Sequence, residues 1–184
     1  EKFNLDGPDG YNFYWRDLRK EPVYFSKRNF GGGSIMVWGA FCSDGTLQLR
    51  LTTHKMKSRD YIGVIRGSLI PFLTQERRDA YVFQQDNARV HVSSETLDWL
   101  NAQNIRVLPW PACSPDLNPV ENLWGILVRT VYANNHCYNN VGELTAAVFQ
   151  AWANIDQNTI TKLITSMPNR IFELITKRGK AINY

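Results

Sequence analysis

Two carboxylates in this chain stand where a fold has to account for them. Asp86 ends the stretch YVFQQ and is followed by NARVH, and Glu121 lies within WPACSPDLNPVENLW, 34 residues intervening. An acid leaving a buried strand is costly unless it is solvated, paired or bound to a metal ion. A turn aspartate that accepts hydrogen bonds from the following amides is an equally ordinary solution. Glu121 divides in the same way. Asn118 is a good N-cap, Pro119 suits the first helical position, and Glu121 then falls where a capping box of about 1 kcal/mol places an acid. Capping explains the acid but not the stiffness ahead of it, where Pro111, Pro115 and Pro119 restrict the backbone. A side chain that must meet a metal ion within a few tenths of an ångström does need a fixed approach.

The elements that would position these acids can be read from the pattern. KFNL (2–5), the turn DGPDG and YNFYW (11–15) read as a hairpin, SIMVWGAFC (34–42) as a continuous central strand, and TLQLRL (46–51) as its alternating neighbour. Residues 58–73 carry Tyr61, Ile62, Ile65, Leu69 and Phe72 at helical spacing, with Ser58 as N-cap. YVFQQ (81–85) reads as a short strand, 94–101 as a helix and IRVL (105–108) as another strand. Helices are expected over 119–132, 142–154, 159–166 and 169–177, the last stopped by Gly179. Trp38, Phe41, Trp124 and Trp152 read as core. Strands first and helices later imply a central mixed sheet flanked by helices.

Composition narrows the class. The chain has 184 residues, 43% hydrophobic and 21% charged, which fits one folded domain over 1–184. Cys42, Cys113 and Cys137 are odd in number and lack C-x-x-C spacing, so neither a disulfide framework nor a zinc site is expected, and a reducing compartment is. His54, His91 and His136 are scattered, and no apolar run reaches the roughly 18 residues that span a bilayer. A net charge of +4 is compatible with nucleic acid without demanding it.

The flanks QQDNARVH and WPACSPDLNPVENLW change the weight of the pair. With DGPDGYNFYWRDLRKEP, RNFGGGSIMVWGAF, NLWGILVR and the ending INY, they make almost the whole chain resemble the catalytic domain of the Tc/mariner superfamily of cut-and-paste DNA transposases, most closely its Tc-three branch. The resemblance implies an α/β, RNase H-like fold with a central mixed five-stranded sheet, flanking helices and extra C-terminal helices. It implies an Asp, Asp, Glu triad whose second and third members, catalytic and metal-binding, are Asp86 and Glu121. The first acid of the family lies in an S-D-E strand ahead of K-F-N-L-D-G, so it is expected just upstream of Glu1. Asp6 and Asp9 match the following turn, with Asp6 a possible substitute ligand. Two Mg²⁺ or Mn²⁺ ions are implied, since hard cations take oxygen ligands and keep several waters. Double-stranded DNA (transposon ends and target) is the implied partner. A homodimer of the full-length protein, an upstream helix-turn-helix region and a nuclear location are further expectations.

Other residues carry divided readings. His91, in the family's DNA-x-x-H motif, could approach the metal site or a scissile phosphate, or serve as a loop or capping histidine. Asn87 and Asn122 could orient the acids or make only local bonds. Arg16, Arg19, Lys20, Lys27 and Arg28 interleave with aromatics and could contact phosphates, or could form a solvated hairpin face. TKRGK near the C terminus is open in the same way. Two alternatives to an active transposase stand: a decayed or domesticated fragment that binds DNA or a partner without catalysis, and a nuclease acting on RNA–DNA hybrids.

Overall fold

Alternation in SIMVW sets the centre of the sheet: Ile35 and Val37 are buried on one face, and Trp38 turns to the other. The computed structural model describes residues 1–8, 19 and 33–182. The expected strand at 11–15 and the basic residues Arg16, Lys20, Lys27 and Arg28 lie outside the described residues. Strand β2 (Ser34–Trp38) pairs antiparallel with β1 (Lys2–Asn4) and β5 (Arg50–Thr52), in the order β1-β2-β5.

The run expected to be one strand over 34–42 breaks at Gly39. A methyl group there would fall 2.8 Å from the Trp152 ring and 2.9 Å from the Trp124 ring. The indoles therefore need a glycine, and the chain turns into a separate hairpin, β3 (Phe41–Cys42) with β4 (Gly45–Thr46). The strands expected over 81–85 and 105–108 reduce to one parallel bridge, Phe83 to Val107. It is held by Phe83 N–H to Arg106 O at 2.8 Å and Leu108 N–H to Phe83 O at 2.8 Å. Among the described residues the five expected strands thus become three in one sheet, a two-stranded hairpin and this bridge.

Helices cover both faces. α1 (Ser58–Phe72) and α3 (Ser94–Ala102) pack Tyr61, Ile65, Leu69 and Leu100 against Leu47 and Trp38. Lys57, not Ser58, takes the cap position of α1, its amide bonded to the Asp60 carboxylate at 2.8 Å. A short α2 (Gln75–Ala80), not expected from the pattern, follows with Thr74 as cap. On the opposite face α4 (Val120–Val131) and α5 (Val141–Ala153) bury Leu123, Trp124, Leu127, Leu144, Val148 and Trp152 against Phe3, Ile35 and Val37. Trp124 and Trp152 stack at 5.4 Å, and the Trp152 indole N–H donates to Leu47 O at 2.8 Å.

The two helices expected over 159–166 and 169–177 are one, α6 (Gln157–Thr176), which runs through Pro168. Proline removes one amide donor from a helix interior without breaking this one. The stop at Gly179 is as expected: its φ is +78°, and its amide returns to Leu174 O at 2.9 Å. The three cysteines are free.

Candidate active site

Asp86 follows the bridge residue Phe83 by three positions, and Glu121 lies in the first turn of α4. The fold brings them to one cleft of about 680 Å³, lined also by Glu1, Tyr61, His91 and Trp124. Both acids also border a second groove of about 350 Å³, beside Asn87, Trp110 and Cys113. They therefore stand on a ridge between two concave surfaces. A side-chain bond ties their segments together, from Gln84 Nε2 to Asn118 Oδ1 at 3.0 Å.

That bond corrects the capping expectation. Pro119 takes the cap position of α4, no side chain caps the helix, and Asn118 uses its side-chain oxygen on Gln84. The Glu121 amide is satisfied by the backbone oxygen of Asn118 at 3.1 Å, after a 3₁₀ turn over Pro115–Leu117. The Glu121 carboxylate is thus not engaged in a capping box, and among the described residues no hydrogen bond uses it. Burial, then the nearby Glu1 carboxylate, push its pKa above the ordinary glutamate value.

Asp86 is treated differently. Its Oδ1 accepts from Ala88 N–H at 3.0 Å and lies 2.6 Å from His91 Nδ1. An ionised carboxylate can only accept, so Nδ1 carries the proton. The His91 bond is the main cause that holds the Asp86 pKa below its ordinary value, against a partial desolvation that acts the other way. His91 is itself fixed. Its ring stacks on Tyr61 at 4.1 Å, the Tyr61 hydroxyl donates to Gln85 Oε1 at 2.8 Å, and Gln85 Nε2 donates to His91 O at 3.1 Å. Ser93, not His91, caps α3. His91 is a support for Asp86, with only 17% of its side chain exposed.

The other expected residues divide. Asn87 donates to Trp110 O at 2.9 Å, and Asn122 Oδ1 accepts from Arg170 at 2.8 Å, so neither side chain orients an acid directly. Asp6 lines neither cleft. Arg19 is exposed. Tyr61, Gln84 and Gln85 were missed. The signal for the glutamines is present in YVFQQD, because polar side chains ending an apolar stretch need buried partners. Tyr61 gave no such sign, since its position also suits a plain core residue.

Two carboxylates in one cleft, one held ionised and one free of hydrogen bonds, fit a hard divalent cation that keeps several waters. Among the described residues no group of three or more His, Cys, Asp and Glu gathers to hold a metal ion. The fit therefore rests on Asp86 and Glu121 alone.

Residues 1–145 match the family model described as DDE superfamily endonuclease. The Tc3 transposase of Caenorhabditis elegans is 51% identical over 184 residues, covering all of this chain and 56% of that protein. The Tc1 transposase of the same organism is 36% identical over all of this chain and 67% of its own length. Among solved structures, a Mos1 transposase paired-end complex with left transposon end superposes with a TM-score of 0.84. Its identity is 19%, and the match covers all of this chain and 55% of that one. The Mos1 mariner paired end complex with Mn gives 0.82, likewise over all of this chain and 55% of that one, at 19% identity. This likeness shows the RNase H-like fold. The chain spans 56% of the length of the Tc3 transposase, and it belongs to the DDE superfamily of endonucleases, in the Tc/mariner transposase group.

Proposed function

We propose that this chain is the catalytic part of a cut-and-paste transposase, cleaving DNA at transposon ends and joining the freed ends to target DNA. The observation that carries the reading is the meeting of Asp86 and Glu121, from separate elements, in one cleft of a transposase-family fold. The Mos1 structures add support, since one is a paired-end complex with a left transposon end and another a paired end complex with Mn.

Asp86 and Glu121 are the residues that would hold Mg²⁺ or Mn²⁺. When bound, such ions neutralise charge on the attacking and departing oxygens of a phosphodiester. His91 keeps Asp86 ionised and aimed, and the proline-stiffened approach keeps Glu121 at a fixed height on the ridge. In cleavage, a water oxygen forms the new bond to phosphorus, the 3′ oxygen leaves, and a 3′ hydroxyl and 5′ phosphate result. In transfer, that 3′ oxygen forms the bond to a target phosphorus, and the target's own 3′ oxygen leaves. Glu1 lines the same cleft, so a residue preceding it in a longer protein would enter beside the two acids, where the first triad aspartate is expected. Basic residues of 16–28 would contact DNA phosphates, an upstream helix-turn-helix region would read the terminal repeats, and the full-length protein would act as a homodimer in the nucleus.

The test uses the full-length protein that contains this chain, duplex DNA carrying the element's terminal repeats, and Mg²⁺. Cleavage is expected on duplex ends and not on RNA–DNA hybrids. Asp86→Asn and Glu121→Gln should each lower the rate more than about 100-fold, beyond the usual cost of losing a mere supporting partner. Full cleavage by both variants would sink the site assignment. Specific DNA binding without cleavage by the unaltered protein would instead favour a non-catalytic module.

A further inference from the structure

Arg170 is an unusual residue for the middle of α6, because it is 7% exposed on a helix whose only other buried position is Ile160. Among the described residues its guanidinium reaches partners in three directions. Nη1 donates to Asp116 O at 3.0 Å, Nη2 to Asn122 Oδ1 at 2.8 Å, and Nε to Ser166 Oγ at 2.9 Å on its own helix. Asp116, also buried, accepts from Leu117 N–H at 3.1 Å and from Ile182 N–H at 3.2 Å through its carboxylate. One planar group therefore joins the 3₁₀ turn before Glu121, the residue after Glu121, and the C-terminal helix.

We propose that Arg170 is a positioning residue for Glu121, its guanidinium locking the Pro115–Leu117 turn and the first turn of α4 into one register from a helix outside the stretch that the family model matches. The geometry favours arginine specifically. A rigid fork can hold a backbone carbonyl and an amide oxygen at the same time, whereas a lysine ammonium is a point donor on a flexible stem. Among the described residues the Glu121 carboxylate has no hydrogen bond of its own, so its aim there rests on the backbone beneath it. Without Arg170, Asp116 O and Asn122 Oδ1 lose a charged donor at a buried place, and the turn loses its tie to α6.

This inference deepens the proposed metal-site reading, so its test carries two readouts, one independent of metal. Hydrogen exchange without metal is compared for the unaltered protein, Arg170→Gln, Arg170→Lys, Asn122→Ala and Ile160→Ala. Ile160 lies ten residues earlier on α6, about 15 Å along its axis, and serves as a control that loosens the same helix. Arg170→Gln should raise exchange over 115–124 at least about tenfold, Asn122→Ala should do so more weakly, and Ile160→Ala should not. Arg170→Lys should recover only part of the protection. Full recovery by lysine, or equal loosening by Ile160→Ala, would overturn the proposal. Should Arg170→Gln not fold, Asn122→Ala decides: unchanged exchange over 115–124 overturns it. In the second readout, Arg170→Gln should raise the Mn²⁺ concentration for half-saturation about 10–100-fold, the range typical of lost ligand support. Unchanged Mn²⁺ affinity in a folded Arg170→Gln would also overturn the proposal. If the unaltered protein takes up no Mn²⁺, the metal-site reading fails while the exchange data still judge Arg170.

Discussion

The loop that carries Asp86 and the helix start that carries Glu121 meet at one cleft, yet they are held there by different means. The Asp86 carboxylate is bonded by residues two and five positions further on, Ala88 and His91, and the Tyr61 ring stacks beneath His91, while the neighbouring Gln84 and Asn87 tie the segment to Asn118 and Trp110. The turn before Glu121 is held by Arg170 and Ile182, 54 and 66 residues away from Asp116. The first acid is engaged and drawn below its ordinary pKa; the second is free and pushed above its own. A local clamp favours the ionised form of a carboxylate from within a short motif. A long-range clamp leaves the carboxylate itself unoccupied and available. The apolar floors beneath them lie on opposite faces of the sheet, Tyr61 in one cluster and Trp124 in the other, so beyond the Gln84–Asn118 bond that joins the segments each should loosen by itself.

The largest effects come from removing the floor under one acid at a time. Trp124 is buried one turn after Glu121, against Trp152 and Gly39. Trp124→Ala should lower unfolding free energy by about 3–5 kcal/mol in urea titrations. Amide protection should fall over 115–124 and persist over 86–91. Leu100→Ala, under Tyr61 on the other face, should cost about 2–5 kcal/mol and reverse that pattern. Equal loosening of both segments by either variant would show that the supports are a single unit.

The same division decides what could be read from sequence. The helices over 58–73, 94–101, 119–132 and 142–154 were legible because apolar spacing reports a buried stripe. QQDNARVH was legible as a motif through its resemblance to the family, whereas the bond from His91 to Asp86 was not read from it. The broken strand at Gly39 was not, since the cause is two indoles brought in from α4 and α5. The continuity of α6 was not either. Pro168 reads locally as a stop, whereas the helix is retained by docking that includes Arg170 on Asp116 and Asn122. Asn118 shows the same limit in miniature, for a residue ideal as a cap was claimed by Gln84 from another segment. Contacts of short sequence span can be inferred from a pattern; a partner 54 residues away leaves no local mark.

Tyr61→Phe sharpens the local side of the comparison without removing the ring. It leaves Gln85 Oε1 buried with its donor gone and should cost about 1–3 kcal/mol. The variant also predicts a change at alkaline pH. Burial raises the Tyr61 pKa above its ordinary value of 10.0, so the neutral form is the one the fold favours. The stability it contributes is fully present below pH 10 and is lost as pH rises toward the folded value. Phenylalanine cannot ionise, so Tyr61→Phe should start less stable and lose less between pH 9 and 11, measured by melting temperature. A parallel alkaline decline in both proteins would mean that Tyr61 is not the group responsible.

The smallest effect is the most discriminating one. His91→Ala removes the bond that does most to lower the Asp86 pKa, so that carboxyl should titrate closer to the ordinary 3.8 in carbon NMR. Glu121 should stay raised, because burial first and the Glu1 charge second push it up, with a lesser push from the Asp86 charge and none from His91. The linkage follows with opposite signs. The lowered Asp86 contributes stability that is present above pH 3.8 and lost as pH falls through its folded value. The raised Glu121 contributes on the acid side, below its ordinary 4.5, and that contribution is lost as pH rises through its folded value. His91→Ala should therefore flatten the acid loss of stability and leave the Glu121 contribution in place. Asp86 is more than half exposed, so water screens the effect and the shift in melting temperature should be small beside the NMR change. If both carboxyls moved by the same amount, the weak push of Asp86 on Glu121 would be a full coupling, and the contrast between a local and a distant clamp would not describe how this cleft is built.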